Sequence, residues 1–85
     1  MKMKKTTIIQ SSLHEVDFTE TDLSESVFDR CDFSRAIFDN TNLGKADFRS
    51  SHGFSIDPSR NKMKKAKFSM EGVVGLLDKY DIVIG

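Results

Sequence analysis

Eighty-five residues allow one domain, with a core too small to be stable without some further structural device. Its 13 basic and 13 acidic residues cancel formally, and the single cysteine, Cys31, excludes an internal disulfide. With no charged-then-apolar leader and no long apolar run, a cytoplasmic, reducing setting without membrane contact is expected. The zero charge hides unlike parts. Residues 1–5 carry +3, residues 6–55 hold 4 basic against 9 acidic side chains, residues 56–70 hold 5 against 1, and residues 71–85 carry −2. An acidic body therefore adjoins a basic patch.

From the N-terminus, the first regularity is a period of five. Large apolar residues stand at Ile8, Leu13, Phe18, Leu23, Phe28, Phe33, Phe38, Leu43 and Phe48 without a slip in register. Two residues before each comes a small or β-branched one: Thr6, Ser11, Val16, Thr21, Ser26, Cys31, Ala36, Thr41 or Ala46. Between them stands Asp or Asn in many units, as at Asp17, Asp22, Asp32, Asn42 and Asp47. This period fits neither regular element. On an α-helix, successive members would lie about 140° apart and leave any common face. On a flat strand an odd period throws them to alternate sides. A chain that turns a corner every five residues satisfies it, pointing one large and one small residue inward per side and pairing its backbone with the coils above and below.

The unit resembles the A-(D/N)-L-x-x repeat of the pentapeptide-repeat proteins, seen here as Ala46-Asp47-Phe48 and Cys31-Asp32-Phe33. The resemblance covers residues 6–50 directly. It implies an all-β solenoid, a right-handed quadrilateral β-helix in which four pentapeptides make one square coil and residues twenty apart stack. The expected interior columns are Ile8, Phe28, Phe48 and Phe68; Leu13 and Phe33; Phe18 and Phe38; and Leu23, Leu43 and Met63.

Residues 51–69 read as an irregular last coil. The repeat phase offers Gly53 and Pro58, so Phe54 and Ile56 are expected to fill the interior, and the motif returns at Met63 and Phe68. Residues 70–85 read as a cap within one domain spanning 1–85. Ser69 suits an N-cap, and Met70, Val73, Val74 and Leu77 recur at helical spacing, predicting a short amphipathic α-helix over 70–79 despite Gly72 and Gly75. Asp81-Ile82-Val83-Ile84 then reads as a terminal strand. A helix across the end of a stack would protect its open edge. The ending from Gly75 onward also resembles that of the quinolone-resistance (Qnr-type) members, whose C-terminal helix and strand take part in dimerisation. On that resemblance Val73, Val74, Leu77, Ile82 and Ile84 are candidate dimer-cap residues.

Candidate chemistry is sparse. His14 and His52 have no partners at zinc-ligand spacing, so no metal site is expected. Cys31 occupies an inward position, where a buried inert thiol is the expectation rather than a nucleophile. The glycines make no phosphate-binding pattern, and no cofactor is implied. The carboxylates lack the cleft that a catalytic pair needs, so no enzymatic activity is expected. The basic run Arg60, Lys62, Lys64, Lys65 and Lys67 reads as a solvated face, with no direct nucleic-acid contact. Val27 and Ile37 are apolar where the repeat favours Asp or Asn, and mark a candidate contact surface.

The resulting function is a non-catalytic protein-binding or structural module, homodimeric, with its partner open. The alternative rests on the resemblance: some relatives mimic duplex DNA and bind DNA gyrase or topoisomerase IV. For that reading the candidate acidic interaction face is Asp17, Asp22, Asp32, Asp47, Glu15, Glu20 and Glu25. Whether the chain is a minimal solenoid or the C-terminal part of a longer one stays open.

Overall fold

The computed structural model describes residues 3–77, 80, 82 and 83. Its backbone returns to register every twenty residues, as a β-helix-type fold does. A short parallel sheet pairs β1 (Thr7–Ile9) with β2 (Val27–Asp29), setting Ile8 against Phe28. Single parallel bridges continue the same rule: Ser12 to Asp32 to His52, Asp17 to Ile37, Asp22 to Asn42 to Lys62, and Val27 to Asp47 to Lys67. Four columns of bridges therefore define four faces.

Corners fall between the faces. Positive φ recurs at Lys5, Gln10, Glu15, Glu20, Glu25, Arg30, Arg35, Asn40 and Lys45, lapses, and returns at Lys65. Side chains with a Cβ seldom enter this region, so the regular recurrence shows how firmly cross-coil pairing dictates the backbone. At many corners an ordinary turn bond closes the bend, as from the Thr21 N–H to the Phe18 carbonyl and from the Ala46 N–H to the Leu43 carbonyl. At others a side chain from the next coil intervenes. Ser51 Oγ accepts from the Cys31 N–H at 3.1 Å and donates to the Phe28 carbonyl at 2.6 Å. Ser26 serves Thr6 and Met3 in the same way, and Asn61 serves Thr41 and Phe38.

The inward small residue twenty positions ahead thus selects the kind of corner. Alanine leaves the turn bond in place, whereas serine or asparagine inserts into it. Ser51→Ala is expected to convert this corner to the ordinary turn, with the Cys31 N–H pairing directly with the Phe28 carbonyl, at a cost of about 1 kcal/mol or less, the net worth of one hydrogen bond. Urea unfolding followed by circular dichroism checks this, and Ser11→Ala, at a half-buried site in the same inward column, should cost less.

The core lies inside the coil. Phe18, Leu23, Phe28, Phe33, Phe38, Leu43 and Phe48 are buried, while Ile8, Leu13, Met63 and Phe68, nearer the ends, are half-buried and pack against them. Rings stack along the columns, with centroids 5.2 Å apart for Phe18 and Phe38, 5.0 Å for Phe28 and Phe48, and 5.3 Å for Phe48 and Phe68. Where the phase offers Gly53 and Pro58, Phe54 and Ile56 fill the interior. Around them the chain forms a 3-10 turn at Pro58–Arg60, with the Asp57 carboxylate accepting from the Ser59 N–H.

The cap differs from the expected α-helix over 70–79. The described residues form a 3-10 helix at Gly72–Leu76, with Ser69 Oγ accepting from the Gly72 N–H. Close docking on Phe54 explains the difference. A Cβ on Gly72 would come 2.9 Å from the Phe54 ring, and one on Gly75 would collide with the Phe54 carbonyl oxygen, while the Gly75 carbonyl accepts from the Ile56 N–H at 3.0 Å. Leu76 packs on the core from the same segment. Ile82 and Val83 make no bridge, and the remainder of the expected terminal strand, Asp81 and Ile84, lies outside the described residues.

Candidate functional site

The repeat's acidic side chains are first of all corner pieces. Asp17, Asp32 and Asp47 each accept from the backbone N–H two residues on, at 2.9, 2.9 and 3.0 Å, and Asp22 does so to Ser24 at 3.0 Å. Asn42 makes the same bond to Gly44. This is the Asx-turn geometry for which Asp and Asn are suited. Hydrogen bonds from the Thr19 and Ser34 hydroxyls and from the Arg49 guanidinium hold the carboxyls of Asp17, Asp32 and Asp47 below the usual range; Arg60 does the same for Asp39.

A pH dependence follows. Because these folded-state pKa values are depressed, the unfolded chain takes up protons first on acidification. Stability is therefore present above the ordinary carboxylate pKa of about 4 and lost as the pH falls through the lower folded values. Thermal melts should be flat from about pH 7 to pH 5 and fall below about pH 4. Asp32→Asn should keep the turn, as Asn42 does, while reducing that slope.

The structure does not gather the seven predicted acidic residues on one face. Asp47, Asp32, Asp17 and Asp22 lie on four successive faces, and Glu15, Glu20 and Glu25 occupy three different corners. The reason is the period itself, since consecutive repeats fall on consecutive sides and only residues twenty apart share one. The acids ring the coil. Glu15 sits 2.6 Å from His14, and Glu25 lies 3.8 Å from Lys5.

The apolar candidates also separate. Val27 and Ile37 are exposed on different faces, and Val27 joins Ile9 at a shallow groove bordered by Asp29, Asp47 and Arg49. Of the dimer-cap candidates, Val73, Val74 and Ile82 are exposed, Leu77 is half-buried, and Ile84 lies outside the described residues. Cys31 is fully buried, its thiol directed at the Ile8 carbonyl. His14 and His52 are exposed, and among the described residues no three His, Cys, Asp or Glu side chains are gathered to hold a metal ion. No helix among them is long and apolar enough to cross a membrane.

The basic run of the sequence is dispersed as well. Arg60 reaches back one coil to Asp39, at 2.7 and 3.0 Å, whereas Lys62 and Lys67 lie on adjacent faces. Lys64 and Lys65 instead meet Lys4 and Lys45 at the corner between those faces. Sequence reasoning missed this corner because its members are up to sixty-one residues apart; writing the chain in rows of twenty would have revealed it.

With the twenty-residue register established, comparison with known families matches the description "Pentapeptide repeats", in eight copies, over residues 11–49. Residues 11–49 are pentapeptide repeats. Thr6 to Gln10, the first in-phase unit of the sequence, precedes the matched span. No curated protein matches this chain. The family match accords with a repeat module that works through its outer surface, since the interior is filled by its own side chains.

Proposed function

We propose that this chain is a non-catalytic protein-binding module, a right-handed four-sided solenoid that acts as a homodimer through its C-terminal segment. The observation that carries this reading is the concentration of exposed apolar side chains after the last coil: Met70 is 86% exposed and Val83 98%, with Val73, Val74, Tyr80 and Ile82 also open. Scattered apolar residues are ordinary, but six exposed ones among the described residues of 70–83 favour an interface. Two copies joined there would display eight faces to a partner, in keeping with the way stacked repeats present extended surfaces. Sedimentation equilibrium at micromolar concentration should give the mass of a dimer, and Val73→Asp combined with Val74→Asp should give a monomer with unchanged circular dichroism. A monomeric parent chain would remove the dimer.

A second reading, mimicry of duplex DNA toward gyrase or topoisomerase IV, is supported by the acidic excess of residues 6–55, 9 acidic against 4 basic side chains, whose aspartates ring all four faces. The lysine-rich corner works against a uniform negative field. Supercoiling by purified gyrase, with and without a quinolone, separates the two: inhibition or drug protection at stoichiometric protein supports mimicry, and no effect leaves the module with another protein partner.

A further inference from the structure

Four coils contribute to the corner where Lys4, Lys45, Lys64 and Lys65 line an open groove of about 410 Å³, floored by Ser24, Asn42 and Gly44. Lys5, Glu25, Lys45 and Lys65 form one corner column, twenty residues apart and all at positive φ, so their spacing is the coil rise of about 4.8 Å. Backbone bonds fix this corner from coil to coil: Lys5 N–H to the Ser24 carbonyl, Glu25 N–H to the Gly44 carbonyl, and Lys45 N–H to the Lys64 carbonyl. Glu25 is its one carboxylate and faces Lys5. Among the described residues Lys4, Lys45, Lys64 and Lys65 make no ion pair, and all four are exposed. Asp47, on one flanking face, is occupied by Arg49, and Asp22, on the other, accepts from Ser24.

This column differs from the other three. Glu15 precedes Arg35 in one, Glu20 precedes Asn40 in another, and Gln10 precedes Arg30 in the third, so none stacks like charges. Placing Lys45 directly against Lys65 costs stability, as like charges do on neighbouring strands. An anion lying along the column would relieve that repulsion. The lining holds no apolar or aromatic side chain, so it lacks both the anchors of a protein hot spot and the wedge that enters a lipid surface. It has no arginine, the residue suited to forked recognition of carboxylates and base edges. Lysines in a line suit a repeating phosphate, held as point charges.

We propose that this corner binds the phosphate backbone of a nucleic-acid strand, by charge and without base selection. The conclusion departs from the sequence expectation of no direct nucleic-acid contact, because the fold assembles a cluster that the linear basic run does not contain. The absence of stacking aromatics makes the binding strongly dependent on salt.

The test is fluorescence anisotropy of a labelled twenty-nucleotide oligothymidylate against the full chain at increasing salt. Binding at low salt is expected, with log K falling against log salt at a slope of about −3, since four contacted phosphates contribute about −0.7 each. Lys45→Glu with Lys65→Glu should weaken it at least tenfold. The fold should survive, because Glu25 already occupies the same column at positive φ; circular dichroism checks this. Arg35→Glu, at the opposite corner, changes charge in the same direction and should have less than a twofold effect. No binding by the parent chain at low salt would overturn the proposal, as would equal loss in the Arg35→Glu control. Displacement by oligoglutamate or by anionic phospholipid vesicles at matched charge would also overturn it, in favour of an acidic protein segment or a membrane surface respectively.

Discussion

Phe48→Ala is expected to remove about 3–5 kcal/mol of stability, the cost of truncating a fully buried aromatic side chain. Phe48 is 0% exposed and sits where the aromatic columns converge. Its ring centroid lies 5.0 Å from Phe28, 5.3 Å from Phe68, 5.4 Å from Phe33 and 5.6 Å from Phe54. Removing it opens a cavity bounded by other rings. Phe28 and Phe33 are held by cross-coil hydrogen bonds of their own backbone, so the walls on that side have little freedom to close. Domains of this kind have about 5–15 kcal/mol in total, and the variant should be partly unfolded at ambient temperature. Urea titration by circular dichroism measures the loss. Phe68→Ala, at a half-buried site, should cost clearly less, and equal costs would show that burial in the stack does not decide stability.

Gly75→Ala should destabilise by about 1–3 kcal/mol through overpacking. The added methyl would collide with a backbone oxygen, that of Phe54, and also lie 3.2 Å from its ring, so a rotamer change alone cannot relieve it. The terminal 3-10 helix must lift from Phe54. A local signature follows, because the Ile56 N–H donates to the Gly75 carbonyl. Hydrogen exchange at the Ile56 amide should accelerate more than exchange at Phe33 or Leu43, whose amides pair between coils. Uniform acceleration throughout would mean that the cap and the coils open as one unit.

Much of the interior was legible because a five-residue period admits few backbones. The phase of Leu13 through Phe48 specifies the inward positions, and the failure of that phase at Gly53 and Pro58 points to Phe54 and Ile56 as replacements. The cap was less legible. Val73, Val74 and Leu77 have helical spacing, but spacing does not reveal that Gly72 and Gly75 press against Phe54, and that contact favours a short 3-10 helix. Charge was the hardest feature to read along the line. Asp17 and Asp22 look like members of one acidic stretch and occupy different faces, whereas Lys4 and Lys64 look unrelated and line one groove. Surface chemistry on a repeat belongs to the fold's period, here twenty, rather than to the sequence's period of five.

That period supports both the protein-binding reading and the lysine corner, and it can be observed directly. In a three-dimensional NOESY spectrum of the isotopically labelled chain, contacts between backbone protons should link Ser12 with Asp32, Asp32 with His52, Asp17 with Ile37, Asp22 with Asn42, Asn42 with Lys62, and Asp47 with Lys67. Cross-peaks at that twenty-residue separation on all four faces are the predicted result. Their absence, or a network of helical contacts three and four residues apart across 11–49, would contradict the account.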